Sequence, residues 1–214
     1  MKKRQFAWIC ILALSACFQH PPLDIGDSFK EDPVRLEQAL SCHNTYLGLS
    51  YTFPVGWWLY DLNTANLSPE PADTEDTAQL DIIYDEDNRF MELAYFANQS
   101  SWGRRNFCGF SLNAELREGT AGIAEYMKDF EGHLREKYGQ DIVFLNSETV
   151  GIVGVSFEKR IFEVSRSQDS FGILTLSTAV QNGYFLNIIA YYRADNKNAD
   201  SFIFDALEKA LALE

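Results

Sequence analysis

The sequence has few of the residues that build metal centres and catalytic sites. Histidine occurs three times in 214 residues, and no HxxxH, HExxH or CxxC spacing occurs. The glycine pairs lack the Gly-Lys-Ser/Thr end of a phosphate loop, and no serine lies in a Gly-x-Ser-x-Gly context. A transition-metal site, a P-loop and a serine hydrolase elbow are therefore not indicated. We expect no cofactor, and no residue stands out as catalytic.

Positive charge is scarce. The chain holds 18 Lys and Arg against 31 Asp and Glu, which gives a formal net charge of −13. A chain this acidic repels both the phosphate backbone of nucleic acid and anionic lipid headgroups. Nucleic acid is therefore not an expected partner, and the protein surface is not expected to hold the chain to a membrane.

No apolar run reaches the length of about 20 residues that a bilayer-spanning helix needs. The chain starts with Lys2, Lys3 and Arg4, and an apolar stretch of eleven residues, 6–16, follows them. A basic start, a short apolar core and small residues before a cut are the layout of a secretory signal peptide. We therefore predict that residues 1–16 are removed after export.

The end of this segment, Leu14-Ser15-Ala16-Cys17, resembles the lipobox of bacterial lipoproteins. The resemblance implies cleavage between Ala16 and Cys17, a thioether-linked diacylglycerol on Cys17, and an acylated amino group, for instance with palmitate. Two or more acyl chains hold a protein stably at a membrane, whereas one chain does not. The alternative is an ordinary signal peptide with a chance cysteine at the cut. Phe18 at the next position permits sorting to the outer membrane in a two-membrane cell.

Cleavage there would leave 15 basic and 31 acidic residues and a net charge of −16. Residues 17–44 are predicted to be a tether with one short helix, and 45–214 a single domain. Asp32 would cap that helix, Pro33 would occupy its first position, and it would end near Cys42.

Two cysteines besides Cys17 remain after the predicted cut, and an exported protein lies where disulfides can form. We predict a bond between Cys42 and Cys108. It would close a loop of 66 residues and stabilise the fold by about 4 kcal/mol in the chain-entropy model. The alternative is a pair of buried, reduced thiols.

The pattern along the domain predicts strands that are mostly consecutive. Two β-rich runs in 45–62 flank a turn at Pro54-Val55-Gly56 and are predicted to form a hairpin, and a loop follows over 63–79. Further strands are predicted at 80–84, 89–97, 106–116, 142–146, 152–164, 171–180 and 184–192. Asn182-Gly183 marks a hairpin between the last two.

Two helices interrupt these strands. Ile123, Met127, Phe130 and Leu134 recur at helical spacing in a segment that Thr120 can cap and Gly139 ends. A closing helix is predicted over 198–212, with Ile203, Leu207, Ala210 and Leu211 on its apolar face. Hairpin-linked strands form antiparallel sheets, so the predicted fold class is α+β.

The stretch YTFPVGWWLYD, with Pro54, Gly56 and Trp57, resembles the opening of PsbP-like and Mog1-like domains. The segments NGYFLNIIAYY and ADSFIFDALEKAL are similar to that family's closing strand and helix, and the resemblance covers 45–213. It implies an antiparallel β-sheet packed between helices, an α/β/α sandwich. It also implies a non-enzymatic binding or assembly role, with no catalytic residue to carry over.

Two surface features are candidate sites. Trp102, followed by Arg104 and Arg105 in a loop, has the composition of a partner-binding hot spot. Alternatively, Trp102 folds back over the sheet edge and the arginines are merely solvated. Asp85 and Asp87 lie in an acidic turn whose oxygens suit Ca²⁺, although the spacing is not that of an EF-hand and a solvated turn is favoured.

Together these features predict a membrane-anchored, non-enzymatic lipoprotein of the bacterial cell envelope. Its partner would be another envelope protein, bound during assembly or support of a complex. The alternative is an envelope module for a small ligand or a metal ion, and a hydrolase with no local motif is a third.

Overall fold

The computed structural model describes residues 33–62, 68–69, 89–100, 106–117, 122–165 and 170–213. The helices are α1 (Ile123–Tyr138) and α2 (Ala199–Ala210). The strands are β1 (Val34–Arg35), β2 (Leu40–Asn44), β3 (Leu49–Phe53), β4 (Trp58–Leu62), β5 (Ser68–Pro69), β6 (Phe90–Ala97), β7 (Cys108–Leu116), β8 (Ile142–Ile152), β9 (Val155–Ser165), β10 (Ser170–Ala179), β11 (Tyr184–Arg193) and β12 (Leu211–Leu213).

Eight of these strands form a large sheet in the order β1-β4-β6-β7-β11-β10-β9-β8. The other four form a small sheet in the order β12-β3-β2-β5. Every pairing found is antiparallel. The predicted fold class, antiparallel strands with helices, is therefore confirmed.

The centre of the large sheet is buried on both faces. In β11, nine of ten residues are buried, and alternate side chains enter two different clusters. Ile189 and Tyr191 pack with Leu134 of α1. Ile188 and Ala190 belong to the main core, which also holds the apolar residues of α2 and β3.

Helix α1 thus covers one face, whereas α2 and the small sheet share the other. The plain α/β/α sandwich is not confirmed in that form, because a second sheet occupies part of one outer layer. Its apolar residues Leu49, Tyr51 and Phe53 are each at most 1% exposed.

The short helix predicted from Asp32 to Cys42 is wrong. Val34–Arg35 is β1, which pairs with β4, and Leu40–Asn44 is β2, which pairs with β3. Cys42 and Asn44 are buried while the residues between and before them are half-buried, a period of two that suits a strand. Pairing within the sheet overrides the capping signals, and β2 belongs to the domain rather than to the tether.

The hairpin predicted for 45–62 is also wrong, although its turn is present. Gly56 has a φ of +80°, and the Trp57 N–H donates to the Pro54 carbonyl at 3.2 Å. The strands on either side do not pair, since β3 lies in the small sheet and β4 in the large one. The turn therefore carries the chain from one sheet to the other.

The later elements agree better with the sequence. Helix α1 ends at Gly139 as predicted, with a φ of +61°, although its N-cap is Gly122 and Thr120 lies outside the described residues. The hairpin at Asn182-Gly183 joins β10 to β11. Strand β8 runs to Ile152, six residues beyond its predicted end, and turns back at Val153-Gly154. Helix α2 ends at Ala210, and the last two residues of the predicted helix, 211 and 212, belong instead to strand β12, which pairs with β3.

A candidate docking edge and the cleft beside it

Most of the predicted site residues lie outside the part of the chain that the structure describes. They are Ala16 and Cys17 of the lipidation site, Trp102, Arg104 and Arg105 of the proposed partner loop, and Asp85 and Asp87 of the calcium candidate. The loop over 63–79 is likewise outside, apart from Ser68–Pro69. These hypotheses therefore stay predictions.

Cys42 and Cys108 are both described, and no disulfide is found between them. Both side chains are 0% exposed and belong to the same apolar cluster. Burial raises the pKa of the Cys108 thiol well above its usual value. A thiol held protonated in this way is a poor nucleophile, which fits a packing role for Cys108.

Within the described ranges, no three His, Cys, Asp or Glu side chains gather as a metal site would require. In the same ranges, neither helix combines the length and apolar character needed to cross a membrane. His133 lies on the exposed side of α1, with Nδ1 at 3.7 Å from Glu136 Oε2.

Strand β8 forms one edge of the large sheet, and in the described part of the chain no strand pairs with its outer side. Seven consecutive residues, 143–149, are exposed or nearly so. Val143 is 52% exposed, Phe144 37% and Leu145 54%. An edge of this kind presents unpaired backbone N–H and C=O groups together with apolar side chains.

Proteins usually protect such edges with lysine, proline or a bulge. The sequence of β8, IVFLNSETVGI, contains no lysine or proline, and its one charged residue is Glu148. The ladder with β9 shifts between Phe144 and Asn146, so that Leu145 is an extra residue on the edge. Of these three features, β8 has only the bulge, and the residue at the bulge, Leu145, has an exposed apolar side chain.

A small open cleft of about 180 Å³ lies beside this edge. Val143, Glu163, Gly172 and Tyr192 stand opposite one another across β8, β9, β10 and β11, and the last three line the floor of the cleft. The Tyr192 ring lies directly against Gly172, where any side chain would collide with it. The remaining lining residues are Leu145, Phe162, Ala194, Asn196, Lys197 and Asp200.

Lys159 joins β8 to Asp200, one of the residues that line this cleft. Its Nζ donates to Glu148 Oε1 of β8 at 3.0 Å and to Asp200 Oδ2 of α2 at 3.2 Å, and it lies 5.0 Å from the Phe204 ring centre. Burial alone lowers the pKa of Lys159, but the hydrogen bonds and charges of the two carboxylates raise it above its ordinary value. The lysine is therefore a fixed cation that joins the edge strand to α2.

The hydroxyl of Tyr192 lies in a negative potential. Burial is the main reason that the pKa of Tyr192 is raised, and the nearby side chains of Asp200, Cys108 and Glu163 raise it further. Among the described residues, no hydrogen bond of this hydroxyl is found. The cleft therefore offers a protonated phenol and two carboxylates, Glu163 and Asp200, to whatever enters it.

The opposite face of the same strands is closed. Under α1, Ser177 Oγ donates to Asn187 Oδ1 at 2.6 Å, and Asn187 Nδ2 donates to Tyr126 Oη at 2.7 Å. Tyr126 in turn donates to Glu115 Oε2 at 2.8 Å. These buried groups satisfy one another, so this network fixes α1 on the sheet.

No family model matches the chain, and no curated protein matches it. The fold is similar to that of cyanobacterial PsbP (CyanoP) from Synechocystis, with a TM-score of 0.52 at 12% identity over 83% of this chain and 94% of that one. At that identity the similarity concerns the fold alone. This similarity supports the resemblance of the sequence to PsbP-like domains as far as the fold is concerned.

Two other solved structures are similar to smaller parts of the chain. A protein of unknown function from Pseudomonas aeruginosa has a TM-score of 0.44 at 13% identity, over 70% of this chain and 92% of that one. LpqN of Mycobacterium tuberculosis, described as involved in cell envelope biogenesis, has a TM-score of 0.40 at 10% identity, over 59% of this chain and 79% of that one.

Sequence reasoning missed the β8 edge because it ended that strand at 146. A signal was present: after the apolar run Val143-Phe144-Leu145, one charged residue follows before Gly154 in an otherwise acidic chain. The cleft had no such signal, since its residues come from four strands, the connection 194–198 and the start of α2.

Proposed function

We propose that this chain is a non-enzymatic binding module that docks an extended segment of another cell-envelope protein along the outer edge of β8. The observation that carries the proposal is the exposed run 143–149 on an edge strand, which begins with three apolar residues and holds a single charged one. An added strand would pair with the backbone groups of β8, and its side chains would cover Val143, Phe144 and Leu145.

The proposal includes attachment to the membrane through lipid on Cys17, which rests on the sequence of residues 2–17. A lipid anchor would keep the β8 edge within reach of envelope proteins and raise its effective concentration towards them. The loop with Trp102, Arg104 and Arg105 stays a second candidate contact in this proposal.

The cleft supports this function better than the small-ligand alternative. Ligand pockets usually enclose roughly 300–1,000 Å³, whereas the cleft beside β8 has about 180 Å³ and is open. A single side chain of a docked segment suits such a space better than a whole ligand does.

Site-specific photo-cross-linking in native membranes tests the proposal. A photoreactive residue is placed in turn at Leu145, Ser147 and Thr149 on β8, and at Glu136 as control, which is 83% exposed on α1. We expect the three β8 positions to cross-link one envelope protein at successive sites along a single segment, because an added strand has a fixed register.

Cross-links at Glu136 to the same extent, or contacts scattered over the partner without register, would contradict strand addition. A Cys17→Ala variant tests the anchor separately. It is expected to leave the membrane fraction, and its retention there would remove the lipid from the proposal.

A further inference from the structure

The cleft beside β8 is apolar at its rim and acidic inside. Leu145 lines the cleft at the strand edge, and the exposed Val143 lies beside it, opposite Glu163 in the register of β8 and β9. Glu163, Tyr192 and Asp200 line the rest. A ligand that matches both parts has a long apolar stem and a cationic end. Lysine and arginine are the side chains with that construction.

We infer that the cleft takes a lysine or arginine side chain of the segment that docks on β8, and so selects a partner strand with a basic residue on that face. This rests on the function proposed above and names the chemistry of the partner. Nothing in it requires Trp102 or the lipid.

The distance across the strands favours a long side chain. An added strand would lie about 5 Å outside β8, so β9 and its Glu163 would be about 10 Å away. A short side chain on the added strand reaches Val143 and Leu145 but not Glu163. A lysine or arginine can lay its stem over the two apolar residues and place its charge near the carboxylate.

The charges favour a cation. The charged residues that line the cleft are Glu163, Asp200 and Lys197, which leaves one excess negative charge. Asp200 is already bound by Lys159, which also binds Glu148 of β8. Glu163 has one weak partner in the described chain, the Ser165 hydroxyl at 3.4 Å. Its carboxylate and the Tyr192 hydroxyl are therefore available to a guest, and the net charge of −13 adds a general attraction for basic segments.

Synthetic peptides test the inference on the full chain in detergent. Each is about eight residues long, within the usual strand range, with valine and threonine alternating around a central lysine, arginine, glutamine or glutamate. Amide chemical shifts of β8 report docking on the edge, and the side-chain signals of Tyr192 report entry into the cleft. The protein variants are Glu163→Gln and, as a matched control on α1, Glu136→Gln.

We expect the lysine and arginine peptides to bind about fivefold more tightly than the glutamine peptide, the order of one partly screened ion pair. Added salt and Glu163→Gln should remove that advantage, and Glu136→Gln should not.

Equal binding of all four peptides, with shifts in β8 but none at Tyr192, would overturn the basic-residue inference and leave edge docking intact. No shift in β8 with any peptide would overturn edge docking itself. Shifts in β8 that depend on protein concentration alone would indicate that a second copy of this chain occupies the edge, and would also overturn the inference.

Discussion

Lys159 and Arg160 are neighbours in β9, yet they fasten opposite faces of the same sheet. Arg160 Nη1 donates to the Met127 carbonyl at 3.1 Å and to Glu131 Oε2 at 2.9 Å, so both of its partners belong to α1. Lys159 joins two elements, the edge strand β8 and α2. The partners of Lys159 are 47% and 44% exposed, whereas Glu131 is 21% exposed.

The difference separates an enclosed polar cluster under α1 from a half-exposed one at the sheet edge. Around Arg160 the polar groups are enclosed under α1, although its buried Nε finds no partner among the described residues. Around Lys159 the two carboxylate partners are half-exposed, Asp200 lines the cleft, and no strand of the described chain pairs with the outer side of β8. Changes on the α1 face should therefore alter folding, and changes near β8 should alter binding.

Chemical access should show the largest contrast. Cys108 is 0% exposed in the core, whereas a cysteine introduced by Leu145→Cys would occupy a site that is now 54% exposed. Alkylation of Cys108 requires the core to open, so we expect it to be slower than at position 145 by about a thousandfold or more. Mass spectrometry of the modified peptides measures both rates in one sample.

The same experiment in urea without reductant tests the absence of a Cys42–Cys108 disulfide. Both cysteines should then be alkylated. Failure to modify either one until a reductant is added would restore the predicted bond. Similar rates for Cys108 and position 145 in the native protein would contradict the closed core.

Arg160→Ala should lower the free energy of unfolding by about 3 kcal/mol, because it removes a buried side chain and leaves the Met127 carbonyl and Glu131 Oε2 without their bonds to it. Urea denaturation measures the change. Arg135→Ala is the matched control, since Arg135 binds the same Glu131 from an exposed position, and should cost less than about 1 kcal/mol. Equal losses in the two variants would remove the distinction between the enclosed and the exposed pair.

Lys159→Met keeps most of the apolar stem but removes the charge. Because the two carboxylate partners are half-exposed, water can solvate them in the variant. We expect the free energy of unfolding to fall by about 1 kcal/mol. Because the folded pKa of Lys159 is raised, its stabilisation is complete below the unfolded pKa of about 10.4 and is lost as pH rises through the folded value.

The difference in unfolding free energy between the wild type and Lys159→Met should therefore be constant from neutral pH to about 9.5 and shrink above about 10.4. Tyrosines of the unfolded chain also ionise in this range, but those outside the Lys159 cluster, such as the buried Tyr51 of the small sheet, contribute to both proteins and cancel in the difference. A difference that already shrinks below pH 9 would show that the lysine pKa is not raised.

Leu145→Ser should have the smallest effect on stability, within about 0.5 kcal/mol, because the side chain is largely in solvent. It should nevertheless weaken partner cross-linking at Ser147, since it removes apolar surface from the edge. Unchanged cross-linking would show that the backbone of β8 is sufficient for docking, and a large loss of stability would place Leu145 in the core instead.

The sequence predicted best those elements whose partners lie nearby in the chain. Helix α1 and the β10–β11 hairpin follow from helical spacing and from Asn182-Gly183, which are local signals. The pairings of β2 and β3 were not predictable in this way. Pro54-Val55-Gly56 marks a turn correctly, but nothing in those three residues tells whether the following strand pairs back or joins another sheet.

The candidate site was less accessible still. Glu163, Gly172 and Tyr192 meet only through the register of three strands, and Asp200 joins them only through the packing of α2. Each position reads alone as an ordinary surface or strand residue. The edge itself carried a weak signal in the low charge of β8, which became meaningful once the strand order was known.

Strand β12 adds a kinetic consequence. Leu211 pairs with Tyr51, 160 positions earlier in the chain, so the small sheet cannot be completed until the final residues are present. Contacts of such sequence separation form late and slowly. For a chain exported as proposed, β3 would reach the far side of the membrane before residues 211–213, its partner in β12, and the small sheet would stay incomplete until those residues had crossed.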